Sequence, residues 1–209
     1  TFEGVDRVPV PAPPLICIPT TAGSSADVSQ FAVIKDETEK RKIVIASKAL
    51  IPDLSLVDPE PLTTMSRELT MNTGVDALSH AVEAYVSSGS SPMTDLHALE
   101  AIRLIHSALP AVIEDPKNLE LRFSTLLASL HAGLAFSNAS VGVAHAMAHS
   151  LEGIYDLPHG RCNALLLEHV IAANYEAAPD RYDRIGAIFD RGKGEQATLA
   201  GEIAAFRRS

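Results

Sequence analysis

Two hydrophobic patterns divide this chain. In roughly the first 60 residues the apolar positions come in short continuous runs. The run LICIP over 15–19 has the form of a buried strand, and 54–57 is a second strand candidate. Residues 31–35 and 43–46 flank a polar stretch over 36–42, which predicts a β-hairpin with Lys42 on its second strand. The prolines between Pro9 and Pro14 make an extended lead-in. After Pro59 and Pro61 the period becomes helical. It predicts helices over 63–87, 92–114, 119–136, 142–153, 162–177 and 181–189, punctuated by further prolines. The fold class is α+β by content but mostly helical: a small β-rich piece over 1–60, then an all-helical domain over 61–209.

Composition adds constraints. A hydrophobic content of 46% over 209 residues is enough to bury a real core, while 5% aromatics leaves that core to Leu, Ile, Val and Ala. The formal net charge of −9 offers no basic field for a phosphate backbone, which excludes nucleic acid as a partner. The longest apolar runs fall well short of a membrane span, and the N-terminal residues lack the form of a signal peptide. Cys17 and Cys162 stand apart with no CxxC spacing, so no disulfide is expected and a reducing cytoplasm is the plain setting. All eight histidines fall between His80 and His169, which points to imidazole chemistry in the second part of the chain.

Asp76 and His80 are four residues apart and share one face of the first predicted helix. Alone, such a pair is most simply a solvated polar face. His145 and His149 repeat the i, i+4 spacing among Val, Ala and Met, where a buried hydrogen-bonded pair is the simplest account. This is not the metalloprotease motif H-E-x-x-H, because Ala146 stands where the basic glutamate would be. His159 sits in a Pro–Gly turn before a helix. Together Asp76, His80, His145 and His159 offer one carboxylate and three imidazoles, a set that suits Fe²⁺ or Zn²⁺ and can leave a position open for catalysis.

Four segments carry a family resemblance. They are TTAGSSADVS over 20–29, TGVDALSHAVEAYVS over 73–87, AFSNASVGVAHAMAHSLEG over 135–153 and LPHGRCNALLLEHV over 157–170. In this order and spacing the chain resembles the iron-containing, group III alcohol dehydrogenases from about Leu15 to Asp190. The resemblance implies a dehydroquinate synthase-like architecture in which 1–60 is a remnant of the cofactor-binding domain and 61–209 is the metal-binding catalytic domain. It implies a divalent metal, Fe²⁺ or Zn²⁺, on Asp76, His80, His145 and His159, with His149 beside the nicotinamide and involved in proton transfer. Thr20, Thr21, Ser24 and Lys42 would contact NAD(P), and Phe136 would lie near the substrate. Hydride transfer between a primary alcohol or aldehyde and the cofactor, in a homodimer, is the implied activity.

The chain also departs from that family. Ser24 and Asp27 replace the commoner Thr and Glu. Family members begin with an α/β portion bearing a Gly-Gly-Gly-Ser phosphate loop and continue with further helices, and neither part is present here. Gly192 to Ala197 fits G-x-G-x-x-A, but it follows a predicted helix and precedes too little chain for a βαβ unit, so it reads as a surface loop. Two other classes stay open at this point: a non-catalytic metal-binding or interaction fragment, and a metal-dependent hydrolase.

Overall fold

Prolines at 59 and 61 produce a break between the two parts of the chain. Pro59 precedes and Pro61 lies within a short 3-10 turn, Glu60–Thr64, after which Met65 is extended and Ser66 caps the first long helix by accepting from the amide of Leu69. The computed structural model describes residues 2–189 and residue 201. The G-x-G-x-x-A match at 192–197 lies outside the described residues.

The strands are β1 (Gly4–Val5), β2 (Ile16–Cys17), β3 (Phe31–Asp36), β4 (Arg41–Ala46) and β5 (Leu54–Ser55). β3 and β4 form the expected hairpin, in register from Phe31↔Ala46 to Asp36↔Arg41, and β1 adds to it parallel to β4. β2 and β5 form a separate parallel pair. The LICIP run corrects an expectation, because it is not a buried strand. Ile16 is 60% and Ile18 52% exposed, since among the described residues only β5 pairs with it.

Six helices follow: α1 (Arg67–Val86), α2 (Pro92–Glu114), α3 (Leu119–Ala139), α4 (Val143–Tyr155), α5 (His159–Asn174) and α6 (Pro179–Ile188). Ser91 opens α2 with a capping box to Thr94, and Asn118 caps α3. α1, α2 and α3 pack on one another, α5 packs on α1, and α4 bridges α5 and β4. Leu78, Ile102, Ile105, Leu109, Leu167 and Ile171 are fully buried at these contacts, each contributing on the order of 1.5–3 kcal/mol of transfer free energy.

Two helix starts differ by three or more residues from the sequence expectation. α1 begins at Arg67 rather than 63, because of the proline turn. α5 begins at His159 rather than 162, because Pro158 is extended and lets the helix start immediately after it. His159 is therefore a first-turn helical residue and not a turn residue. α2 is also long and apolar enough to cross a membrane by length and composition. It carries Asp95, Glu100, Arg103 and an internal Pro110 and packs against both α1 and α3, which makes it a core helix.

Two glycines set how closely these elements approach the site. A Cβ on Gly160 would lie 2.0 Å from the carbonyl oxygen of Asn72, so only glycine lets the start of α5 touch α1. A Cβ on Gly153 would lie 2.5 Å from the carbonyl oxygen of Lys40, which fixes α4 against the hairpin.

Candidate metal centre

α1 is buried all round from Gly74 to Tyr85, so its polar residues Asp76, His80 and Glu83 face protein rather than water. Buried groups of this kind need partners. α4 and α5 supply them. His145 comes from α4 and His159 from α5, and one ligand atom from each of Asp76, His80, His145 and His159 lies within 4.8 Å of the others. His159 Nε2 is 3.3 Å and His145 Nε2 3.8 Å from Asp76 Oδ1. The His80 ring stacks between Phe136 and His145, both at 4.3 Å between centroids, and its Nδ1 is buried with no hydrogen-bond partner.

Two further carboxylates orient the imidazoles. His145 Nδ1 donates to Glu83 Oε2 at 2.6 Å, and His159 Nδ1 donates to Glu152 Oε1. With the Nδ1 protons so held, both Nε2 atoms present lone pairs to the common centre. Glu83 also does a second job. α4 begins at Gly142 without a side-chain cap, and Glu83 Oε1 accepts the Ala144 amide at 2.7 Å. Glu152 is held in turn by Lys42, whose Nζ is 3.0 Å from Oε2.

The electrostatics follow from these contacts. Burial raises the Asp76 carboxyl, but the neighbouring His80, His145 and His159 outweigh it and leave it well below the usual carboxylate range. Burial drives His80 down to about 3. Burial opposes charge on His145 too, yet Asp76 and Glu83 together lift it to about 9. Glu83 and Glu152 are both lowered, burial being overcome by their histidines.

One carboxylate oxygen, a partnerless buried imidazole nitrogen and two Nε2 lone pairs, all converging, make a donor set that fits a divalent cation with nitrogen and oxygen ligands. A cavity of about 790 Å³ opens onto it, lined by His80, His145, His149, His159, Phe136 and Lys42 among others. His149 stands 5.3 Å from His159 between ring centroids, and burial with the neighbouring His159 lowers it to about 4. Ser24 also lines the cavity, whereas Thr20 is exposed and neither it nor Thr21 reaches the lining.

The sequence reading missed Glu83, Glu152 and Asn163. Asn163 is fully buried and its Nδ2 donates to Asp76 Oδ1 at 2.8 Å. Their signal was present in helical spacing. Glu83 is seven residues after Asp76, Glu152 seven after His145, and Asn163 four after His159, each on the ligand's own face.

Fold and site together define a helical domain that carries a one-carboxylate, three-histidine cluster suited to a divalent metal. The chain belongs to the iron-containing alcohol dehydrogenase family: the family model described as iron-containing alcohol dehydrogenase matches residues 1–59, and that of the Fe-containing alcohol dehydrogenase family, C-terminal, matches residues 70–208. It is 46% identical over 187 residues to alcohol dehydrogenase 4 of Schizosaccharomyces pombe, covering 90% of this chain and 44% of that protein. It is 36% identical over 208 residues to the NAD-dependent methanol dehydrogenase of Bacillus methanolicus, covering 100% of this chain and 54% of that protein. Among solved structures, the alcohol dehydrogenase from Oenococcus oeni superposes with a TM-score of 0.91 at 37% identity, covering 99% of this chain and 55% of that one. The chain thus spans about half the length of the relatives it matches.

Proposed function

We propose that the full-length protein transfers hydride between a primary alcohol or aldehyde and a nicotinamide cofactor, with a divalent metal held by Asp76, His80, His145 and His159. The observation that carries this reading is the convergence of those four donors at the floor of a largely apolar cavity that His149 also lines. Fe²⁺ is the proposed metal, and the donor set also admits Zn²⁺. When bound, the cation supplies Lewis-acid polarisation of an alcohol or carbonyl oxygen, and the nicotinamide supplies the hydride chemistry.

The chain's own residues do the rest. Asp76 contributes the negative charge of the ligand set, and Glu83 and Glu152 keep His145 and His159 in the ligating tautomer. Phe136, Phe31 and Val141 line the cavity with apolar surface that excludes water from an alkyl group. His149, which lines the same cavity beside His159, is the proposed proton acceptor in alcohol oxidation. Ser24 and Lys42, which share the cavity, and the Thr20–Thr21 turn are the proposed cofactor contacts. Residues 1–60 are proposed as the cofactor-domain remnant and 61–209 as the metal domain, in a homodimer.

The test is a His149→Ala change in full-length protein. Turnover of a primary alcohol with NAD⁺ should fall about 10²–10⁴-fold, the usual share of a general base, while metal content stays at the wild-type level. Unchanged turnover would remove His149 from the mechanism, and lost metal would make it a ligand instead.

A further inference from the structure

Asn163 lies one turn beyond His159 on α5 and is fully buried. Its Nδ2 is 2.8 Å from Asp76 Oδ1, 3.1 Å from His145 Nε2 and 3.2 Å from His159 Nε2. An amide nitrogen has two hydrogens and here meets three acceptors. The acceptors are not equal. Each Nε2 has a single lone pair, which a coordinated cation would take. Asp76 Oδ1 has lone pairs enough to serve a cation and a donor together. The shortest contact, to Asp76, is therefore the one compatible with a loaded centre.

Two more observations separate Asn163 from an ordinary core amide. Its Oδ1 is buried with no hydrogen-bond partner, whereas a side chain kept for its own hydrogen bonding would satisfy both ends. Such an orphan costs stability, so the amide is placed for what its nitrogen does. In addition, His80, His145 and His159 line the cavity, but Asp76 and Asn163 do not. The amide therefore faces the ligand set from the closed side.

We propose that Asn163 is a positioning residue of the metal centre: its Nδ2 holds Asp76 in ligating orientation, and its amide closes the face of the ligand set that points away from the cavity. Substrate oxygen then has one direction of approach, from the cavity and past Phe136. This inference rests on the four-residue metal reading above.

The experiment loads anaerobically purified, chelator-stripped protein with Co²⁺ and follows its visible absorption, with affinity read by chelator competition. Wild type is compared with Asn163→Ala and Asn163→Leu, and circular dichroism confirms that each is folded. Both variants lose the donor to Asp76, so Co²⁺ affinity should fall about 10–100-fold, as for other groups that orient metal ligands. Only alanine opens the closed face, so only Asn163→Ala should show the weaker, shifted absorption of a cobalt centre that has gained a water. Should alanine destabilise the fold, the size-matched leucine carries the affinity measurement. Unchanged affinity in a folded variant would overturn the positioning role, and tighter binding would make Asn163 a competitor for the ligand lone pairs. A wild-type protein that takes up no Co²⁺ would overturn the metal reading itself, which no variant is needed to see.

Discussion

Glu83 shows how much can depend on one side chain. Its two oxygens hold the Nδ1 proton of His145 and the Ala144 amide in the first turn of α4, so it fixes a ligand and the helix that bears it. Glu83→Ala should cost about 1–3 kcal/mol through the buried donors it abandons, as a lower urea midpoint of unfolding. Glu152→Ala removes only the partner of His159 and Lys42, and metal affinity should fall about 10–100-fold with smaller loss of stability. Retained affinity in Glu152→Ala would mean that His159 is oriented by the backbone of α5 alone. At this scale the sequence reveals donors and hides their supports. Asp76, His80, His145 and His159 are legible because i, i+4 spacing and a Pro–Gly turn single them out. A glutamate on a helix carries no mark of facing inward, and Asn163 is silent until α5 is laid on α1.

At the level of elements, the contact between α1 and α5 decides whether the centre assembles. Gly160 is the point of closest approach, and a methyl group there would meet the carbonyl of Asn72. Gly160→Ala should push His159 away from Asp76, destabilise the fold by about 1–3 kcal/mol and weaken metal binding with it. Normal metal content in that variant would show that α5 can shift without cost. A second element contact reports on pH. His97 on α2 and His131 on α3 share a hydrogen bond between Nδ1 atoms at 2.9 Å, and burial followed by the charge of His97 lowers His131. A lowered histidine contributes stability that is present above its unfolded value of 6.5 and lost as pH falls through the folded value. Unfolding free energy should therefore decline below pH 6.5 less steeply in His131→Leu than in wild type. Parallel slopes would mean the pair does not couple α2 to α3. Hairpin and helices are legible from period and proline punctuation; the starts of α1 and α5 are not, because Pro61 and Pro158 act through backbone geometry that a hydrophobic pattern does not register.

For the molecule as a whole, the β-rich piece and the helical domain meet at the centre. Lys42 from the hairpin reaches Glu152 on α4, Lys35 pairs with Asp156 at the end of α4 at 2.6 Å, and Gly153 lies against Lys40. The cavity is therefore built from both parts, and neither part carries it alone. The LICIP run has the pattern of a buried strand, yet Ile16 and Ile18 are exposed, because burial of a strand depends on what covers the sheet and not on the run itself. Ligand binding to the folded state should also stabilise the whole chain, by about 4 kcal/mol when the metal is at 1,000 times its dissociation constant. The measurement that bears most directly on this account is elemental analysis after anaerobic purification with ferrous iron supplied, comparing wild type with His145→Ala. The account predicts one metal ion per chain in wild type and none in the variant. Equal metal in both, or none in either, would contradict it.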